Sequence, residues 1–379
     1  MSIGVLIVDD SAVIRRMLGQ LLGAEDGIEV VGKARNGQHG ISQVHALNPD
    51  VVIMDLEMPV MDGVDAVRKL RVDYPRLPII MFSSHTDRGA RSTMEALVAG
   101  ATAYVCKNPG SKGLPYLIKE VLAVEIRRVA GVKAVGRSRR TLTEPVVDLT
   151  AFKDAAAART EPAVMARPAR PARSVASVKQ SGPLRCLAVG CSTGGPAALM
   201  QFLPGLAADI GVPILIVQHM PPKFTKLLAD RLDTQCAIRV VEGSAGEEVL
   251  PGTAYIAPGG YHMCIHQRGA KIYLTLDREE PVNSCRPAVD RLFDSIAKVY
   301  GGAVLGVIMT GMGQDGMNGC RSLVDMGASI LTQDEESCVV WGMPRAVVMA
   351  GLASQELPLN QLSSGVMRHF RKNRFVRTA

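Results

Sequence analysis

Two groups of chemically reactive side chains follow strand-like apolar runs in this chain of 379 residues. In the first group, Asp9 and Asp10 end the run Ile3–Val8, and Asp55 ends the run Val51–Met54. Carboxylate oxygens are the ligands that Mg²⁺ prefers, and an aspartate beside bound Mg²⁺ can accept a phosphoryl group. The first group therefore predicts a cation site with a phosphorylatable aspartate.

A hydroxyl and an ammonium group follow the next two strand-like runs. Ser83 comes after the run 78–82, and Lys107 comes after the run 103–105. Because the carboxyl ends of parallel strands meet at one sheet edge, these groups should converge with the carboxylates. Asp55 would then attack phosphorus, Lys107 would pair with a phosphoryl oxygen, and Ser83 would donate a hydrogen bond to another. Taken alone, the acidic pair could equally lie on a solvated face.

A second group begins with a serine in a glycine-rich turn. Ser192 lies in the motif Gly190-x-Ser192-x-Gly194, after the buried-type run 185–190. Small neighbours permit the sharp strand-to-helix turn of a nucleophile elbow, and the amides at a helix start favour an oxyanion. A glycine-rich turn is also typical of a phosphate or dinucleotide loop, although no acidic ribose partner stands at the expected spacing.

An imidazole and a carboxylate follow two further strands on what should be the same sheet edge. His219 follows the run 213–217, and Asp315 lies in the loop after the run 303–309. Together with the serine they predict acyl transfer, in which His219 takes the serine proton and Asp315 orients the imidazolium. The chain order Ser, His, Asp differs from that of α/β-hydrolases, so we do not assign the domain to that fold.

The spacing of apolar runs divides the chain into three parts. Residues 1–125 alternate five strand-like and five helix-like stretches, which indicates an α/β fold with a five-stranded parallel sheet covered on both faces. Residues 126–183 are rich in Pro, Ala and Arg, which predicts a flexible basic linker. Residues 184–379 predict a second, doubly wound α/β domain with a mostly parallel sheet and an added β-hairpin at 261–276.

The net charge of +7 suggests nucleic-acid binding, but the charge is localised. Twelve Lys or Arg and only four Asp or Glu lie in 126–180, so the rest of the chain is nearly neutral. This segment lacks interleaved aromatic residues, and no helix-turn-helix pattern is evident. We therefore expect no nucleic-acid partner. The alternative is a phosphorylation switch whose output is binding rather than catalysis, with the basic linker acting on nucleic acid.

Composition argues against membrane and secreted proteins. No apolar stretch approaches the roughly 18 residues that span a bilayer, and no basic region followed by an apolar region opens the chain. The eight cysteines are scattered, without a C-x-x-C pair, which is typical of reduced thiols in the cytoplasm. We therefore expect a cytoplasmic protein without membrane insertion.

The first 125 residues resemble the receiver domain of two-component response regulators in their ordered acidic, hydroxyl and lysine positions. The resemblance implies a flavodoxin-like fold with Asp55 as the phospho-acceptor. It also implies a Mg²⁺ site formed by Asp9, Asp10, Asp55 and the backbone carbonyl of Glu57.

The same resemblance implies a set of switch residues. Ser83 would be the switch hydroxyl, Tyr104 the aromatic side chain that swings inward, and Lys107 the phosphate-pairing lysine. One departure from the family pattern is visible, because Asn108 separates Lys107 from Pro109.

The second domain resembles the catalytic domain of CheB, the family of chemotaxis protein-glutamate methylesterases. The resemblance runs from 184 to about 350 and rests on these segments: Gly190–Pro196, Gln218–Pro221, Tyr255–Gly259, Asn283–Asp290 and Thr310–Gly316. It implies a triad of Ser192, His219 and Asp315, a backbone amide of Met312 in the oxyanion hole, and no cofactor for the esterase.

The resemblance also implies substrates and partners. The family hydrolyses γ-methyl glutamyl esters, and deamidates certain glutamines, on methyl-accepting chemotaxis receptors, and a chemotaxis-type histidine kinase is the phosphodonor. Because a switch and a catalyst share one chain, we expect a phosphorylation-gated esterase whose unphosphorylated receiver covers the cleft.

Two residues near the second site have competing interpretations. Asp290 could simply decorate the exposed face of a helix whose Ala288, Leu292 and Phe293 face the core. Arg286 could line the substrate cleft or serve no functional role.

Overall fold

The computed structural model describes residues 2–83, 87–107, 113–137 and 183–374 of the chain. These ranges contain a five-stranded sheet, a seven-stranded sheet and a separate two-stranded hairpin. Both larger sheets are parallel and have helices packed against them. The predicted α/β fold class, with two sheets and an added hairpin, is therefore confirmed.

The N-terminal sheet has the strand order β2-β1-β3-β4-β5, with every pair parallel. Its strands are β1 (Ile3–Val8), β2 (Ile28–Ala34), β3 (Val51–Met54), β4 (Ile79–Ser83) and β5 (Ala103–Cys106). All residues of β3 and β4 are buried, as expected for strands covered on both faces. This is the flavodoxin-like order, which creates a ligand crevice at the carboxyl ends of β1 and β3.

Side-chain caps start the first three helices that follow these strands. They are α1 (Ala12–Gly23), α2 (Gly37–Leu47), α3 (Gly63–Asp73), and they are followed by α4 (Asp87–Val98). Ser11, Asn36 and Asp62 each accept a hydrogen bond from a backbone N–H in the first turn. Ser11 directly follows the acidic pair Asp9 and Asp10, so α1 begins at the carboxyl end of β1.

The last helical segment of the N-terminal domain is long and irregular. It consists of α5 (Gly113–Tyr116), a π-helical segment (Leu117–Leu122) and α6 (Ala123–Arg137). Residues 126–137 of the predicted linker therefore continue this helix. The remaining linker residues, 138–182, lie outside the described part of the chain.

The second sheet has the order β14-β13-β12-β6-β7-β9-β8. Its strands are β6 (Cys186–Cys191), β7 (Ile214–Gln218), β8 (Arg239–Glu242), β9 (Thr253–Ile256), β12 (Val304–Ile308), β13 (Ser329–Gln333) and β14 (Gln355–Leu357), and the separate hairpin is β10 (His262–Arg268) with β11 (Lys271–Asp277). Within this domain the chain begins with the central strand β6 and continues to β7 on one side of it. It later returns to β12 on the other side of β6. This reversal places the topological switch point, where open α/β sheets bind ligands, between β6 and β12.

The helices of this part are α7 (Gly195–Phe202), α8 (Phe224–Asp233), α9 (Val289–Tyr300), α10 (Met317–Asp325), α11 (Met343–Met349) and α12 (Leu359–Arg374), with a 3₁₀ turn at Leu203–Gly205. Helix α9 begins at Val289 and does not include Arg286. Ala288 is extended, with φ −120° and ψ 138°, and Arg286 precedes a proline, which disfavours helical backbone there.

The two domains pack together through α4, which contacts both α7 and α8. Met94 of α4 belongs to the same buried apolar cluster as Leu199 of α7 and Phe224 of α8. Across the ranges that the structure describes, we find no helix with the length and apolar character required to cross a membrane.

Candidate active site

Three carboxylates meet where β1 and β3 end. Ligand oxygens of Asp9, Asp10 and Asp55 lie within 4.8 Å of one another. A backbone hydrogen bond of 2.8 Å from Asp55 N to Val8 O holds the two strand ends in register. Glu57 follows on the same loop and is exposed. Such a set of hard oxygen donors suits Mg²⁺ better than softer metal ions.

Lys107 joins this acidic cluster from the end of β5. Its Nζ lies 2.7 Å from Asp55 Oδ2 and 2.9 Å from Asp9 Oδ2. Burial nevertheless raises the pKa of Asp55 to about 6, because it outweighs the stabilising charge of Lys107. A Cβ on Gly63 would lie 2.1 Å from the Asp55 carbonyl oxygen, so this position requires glycine. Asp55 is therefore tightly held and poorly solvated.

Two other predicted switch residues contact the helices α4 and α8. Ser83 Oγ lies 2.9 Å from Thr93 Oγ1 of α4, and this pair of hydroxyls is buried. Tyr104 stacks on Phe224 of α8, with ring centroids 4.7 Å apart, and burial raises the pKa of its hydroxyl. Asn108 and Pro109 lie outside the described residues.

In the second domain, the ends of three adjacent strands bring the predicted serine and histidine loops together. Cys191 pairs with Gln218, and His219 N donates to Cys191 O at 3.2 Å. On the other side of β6, Ser192 N donates to Thr310 O at 3.0 Å. Ser192 therefore sits at the switch point, flanked by the loops that follow β7 and β12.

His219 and Asp315 form a direct hydrogen bond at this edge. His219 Nε2 lies 2.7 Å from Asp315 Oδ2, and the two side chains are only 10% and 2% exposed. The other ring nitrogen, Nδ1, lies 3.5 Å from Cys285 Sγ. Burial alone lowers the pKa of His219, but the hydrogen bonds that the ring makes with Asp315 and Cys285 outweigh burial and raise the pKa to about 9.

The carboxylate of Asp315 also caps a helix from outside it. Val289 N and Asp290 N, at the start of α9, donate to Asp315 Oδ2 and Oδ1 at 2.6 and 3.1 Å. Burial alone raises the pKa of Asp315, but these amides and His219 outweigh it, so the pKa is lowered. The helix dipole of α9 thus helps to keep this buried carboxylate ionised.

Ser192 is half-buried, and its Oγ makes no hydrogen bond with any residue in the described ranges. Its backbone is fixed, because Gln218 Nε2 donates to Ser192 O at 2.9 Å and to His219 O at 3.2 Å. A Cβ on Gly195 would lie 1.8 Å from Gln218 Oε1, so only glycine allows the start of α7 to approach the end of β7. Both predicted catalytic loops are therefore held by one buried amide.

The loop after β12 closes the site opposite His219. A Cβ on Gly311 would lie 2.8 Å from Ser192 Cβ, so this loop passes directly against the serine. Thr310 Oγ1 donates to Thr193 O at 2.9 Å, and Gly311 O accepts hydrogen bonds from Gly342 N and Met343 N. The next residue, Met312, is 39% exposed at the mouth of the site.

A side chain from the N-terminal domain reaches this mouth. Arg128 of α6 lies 3.0 Å from Thr193 Oγ1 and 3.3 Å from Met312 Sδ, both through Nη1. Its Nε and Nη2 bind both carboxylate oxygens of Glu125, which fixes the guanidinium plane. Arg128 thus bridges the loops on both sides of Ser192.

The sequence interpretation missed several residues that support this site. Gln218 had been noted only as part of a family segment, although a polar residue ending a buried strand is a usable signal. The interpretation of Asp290 as an exposed surface residue is wrong, because it is 5% exposed and bonded to Gly319 N. Arg286 donates to the carbonyls of Arg278 and Glu279.

Comparison with known proteins identifies relatives of both domains. Residues 187–366 match the family model for CheB methylesterase, and residues 5–119 match that for the response regulator receiver domain. A protein-glutamate methylesterase/protein-glutamine glutaminase of Trichodesmium erythraeum is 42% identical over 96% of this chain and 98% of its own. A protein-glutamate methylesterase/protein-glutamine glutaminase of Azospirillum brasilense is 42% identical over 94% of this chain and 90% of its own. The crystal structure of the Thermotoga maritima CheB methylesterase catalytic domain is 40% identical, covering 49% of this chain and 98% of its own, with a TM-score of 0.48.

Proposed function

We propose that this chain, which belongs to the family of protein-glutamate methylesterases/protein-glutamine glutaminases, is a serine hydrolase gated by phosphorylation of its receiver domain. The observation that carries the hydrolase assignment is the buried His219–Asp315 pair, joined at 2.7 Å beside the loop of Ser192. The proposed substrates are glutamyl methyl esters and glutamine side chains of methyl-accepting chemotaxis receptors.

In the proposed reaction Ser192 is the nucleophile and His219 is the base. Because His219 Nε2 is engaged by Asp315, the proton of Ser192 passes to Nδ1. The serine oxygen then forms a bond to the acyl carbon, and methanol leaves an ester, or ammonia leaves an amide, with the proton returned by His219. Water, deprotonated by the same nitrogen, releases the glutamate and restores the serine.

The negative charge on the tetrahedral intermediate requires donors placed beside Ser192. The backbone N–H of Met312 is the proposed donor, since its loop is pressed against the serine through Gly311. The start of α7, two residues after Thr193, adds the positive end of a helix dipole. Loss of one such donor generally lowers the rate by about 10²–10³. The proposed esterase site uses side chains and backbone amides and requires no cofactor.

Gating is proposed to act through the contact between Arg128 and the mouth of the site. Arg128 fills the space between Thr193 and Met312, where a receptor side chain must enter. A phosphoryl group on Asp55 adds charge and acceptor oxygens next to Lys107, which gives up its ion pairs. Ser83 contacts α4 and Tyr104 contacts α8, so movement of these two side chains would loosen the interface between the domains.

Asp9, Asp10, Asp55 and the carbonyl of Glu57 are the proposed ligands of Mg²⁺. When bound, Mg²⁺ supplies charge neutralisation for the incoming phosphoryl group. The chain itself supplies the nucleophilic carboxylate of Asp55 and the ammonium of Lys107, which is close enough to pair with a phosphoryl oxygen. A chemotaxis-type histidine kinase is the proposed phosphodonor.

Methanol release from methyl-labelled receptor membranes tests the hydrolase assignment. We expect release by the wild-type protein and none by Ser192→Ala, whereas the matched surface variant Ser364→Ala should keep full activity. Gating is tested by the same assay with and without a small phosphodonor. Equal rates in both conditions, or an unchanged response in Asp55→Ala, would refute the gating.

A further inference from the structure

The catalytic carboxylate belongs to a reciprocal arrangement of two helices. Asp315, just before α10, caps α9 by accepting from Val289 N and Asp290 N. Asp290, in the first turn of α9, accepts from Gly319 N of α10 at 2.8 Å through Oδ1. α9 is therefore capped by a carboxylate from the loop before α10, and α10 is capped by a carboxylate of α9. Both carboxylates are almost fully buried.

Two buried carboxylates side by side repel each other, so hydrogen-bond donors are needed between them to offset the repulsion. Burial, and to a lesser extent the charge of Asp315, raises the pKa of Asp290. One amide group meets this need, because Asn283 Nδ2 donates to Asp290 Oδ2 at 3.0 Å and to Asp315 Oδ1 at 3.2 Å. Both protons of the NH₂ group are thereby directed at the two carboxylates.

A tight turn positions this amide. Val282 and Cys285 exchange two backbone hydrogen bonds of 3.1 and 2.9 Å, and Asn283 and Ser284 both have positive φ, 51° and 62°. Asparagine tolerates this left-handed conformation better than most residues. Cys285, the last residue of the turn, contacts His219 Nδ1. Because Asn283 contacts Asp315, the turn touches both members of the His–Asp pair.

We propose that Asn283 is a positioning residue of the esterase, whose amide holds Asp315 in line with His219 Nε2 by bridging it to Asp290. This inference rests on the proposed serine-hydrolase function. Asn283 does not touch the reacting atoms, and its effect passes through Asp315. Asn283 thereby gains a role in catalysis that is independent of substrate contact.

Two substitutions remove the amide without straining the turn. Asn283→Gly keeps the left-handed conformation and removes the donor, and we expect kcat to fall about tenfold with KM unchanged. Asn283→Asp replaces the donor by a third carboxylate, so kcat should fall further. The added charge should also move the acid limb of the kcat/KM profile to higher pH, because it favours the protonated imidazole.

Three described titratable groups face the His219–Asp315 pair. Cys285, on the same turn as Asn283, contacts His219, Asp290 of α9 contacts Asp315 through its backbone N–H, and the buried thiol of Cys320 on α10 interacts electrostatically with Asp315. Two matched controls separate the amide from its surroundings. Ser284→Gly alters the same turn but no carboxylate contact, and Asn318→Ala removes only a 3.5 Å contact to Asp290. Both should keep kcat within about twofold of wild type.

The ring pKa of His219, followed by NMR without substrate, provides a readout that does not depend on activity. A higher pKa in Asn283→Asp, with near-wild-type thermal unfolding, supports the proposal. Wild-type kcat in both Asn283 variants, an unchanged His219 pKa in Asn283→Asp, or an equal loss in Ser284→Gly would overturn it. An inactive wild-type protein would instead refute the proposed function.

Discussion

Arg128 Nη1 donates a hydrogen bond of 3.0 Å to Oγ1 of Thr193, the residue that follows Ser192. The guanidinium comes from the last helix of the N-terminal domain, and the hydroxyl belongs to the loop after the first strand of the second domain. Because the same nitrogen contacts Met312, one side chain links the regulatory domain to both walls of the proposed active site.

Removal of Arg128 should release the site without phosphorylation. In Arg128→Ala, the side chain that contacts Thr193 and Met312 is absent, and basal methanol release should rise about three- to tenfold, as expected for the loss of about 1 kcal/mol of net contact energy. The phosphodonor should then stimulate less than in wild type. Arg127→Ala is the matched control, since Arg127 pairs with Glu25 inside the N-terminal domain. Equal basal rates in the three proteins would contradict this role.

Asp55→Asn should stabilise the protein in metal-free buffer above pH 6. The folded-state pKa of Asp55, about 6, exceeds its unfolded value of 3.8, so ionisation opposes folding. Well below pH 4 the Asp55 carboxyl is protonated in both states and does not lower the free energy of unfolding. As pH rises to 6, its ionisation in the unfolded state lowers the free energy of unfolding. The variant should gain about 3 kcal/mol at pH 7 and little at pH 4, measured by urea unfolding. The exposed control Asp65→Asn should show no such pH-dependent gain.

Esterase activity should rise with pH as His219 loses its proton. Its pKa of about 9 reflects hydrogen bonds to Asp315 and Cys285 that outweigh burial. Cys285→Ala removes one of these contacts, so the acid limb of the kcat/KM profile should move to lower pH and the rate at pH 7 should increase. Cys264→Ala, which removes a half-buried thiol on β10, serves as the control. Superimposable pH profiles for wild type and Cys285→Ala would exclude the thiol as an influence on the base.

Gln218→Glu should damage both stability and activity. The substitution replaces a buried amide that donates to Ser192 O and His219 O by a group of the same shape that accepts hydrogen bonds. We expect the free energy of unfolding to fall by about 2–4 kcal/mol and kcat to fall at least tenfold, measured by urea unfolding and methanol release. Gln201→Glu, at an exposed position of α7, should change neither quantity. Wild-type kcat in Gln218→Glu would show that this amide does not hold the loops.

Strand and helix positions were predictable where local pattern determines them. Apolar runs such as Val51–Met54 have no alternative but a buried strand, and a serine before α1 gives a clear helix start. The three-residue strand β14 was missed, since Gln355–Leu357 has no apolar pattern of its own. It pairs with β13 because tertiary contacts place it at an available sheet edge.

The sequence was sufficient to predict which side chains share a sheet edge, but not how those side chains contact one another. Consecutive strands of a parallel sheet are commonly neighbours, which predicted that Ser192 and His219 follow adjacent strands, and the pairing of β6 with β7 agrees. Which imidazole nitrogen faces Asp315 depends on loop geometry that no spacing rule describes. The burial of Asp290 depends on how α9 crosses α10, a relationship between elements distant in sequence.

Asp315 serves the architecture of the protein as well as its proposed chemistry, because the start of α9 depends on it. Truncating it to alanine would leave two inward-facing backbone donors unsatisfied, so lost turnover could reflect a frayed helix rather than a missing catalytic group. Ser192 offers the cleaner knockout, since its hydroxyl supports nothing else within the described ranges. In this enzyme the residue chosen for inactivation decides whether an experiment reports on chemistry or on folding.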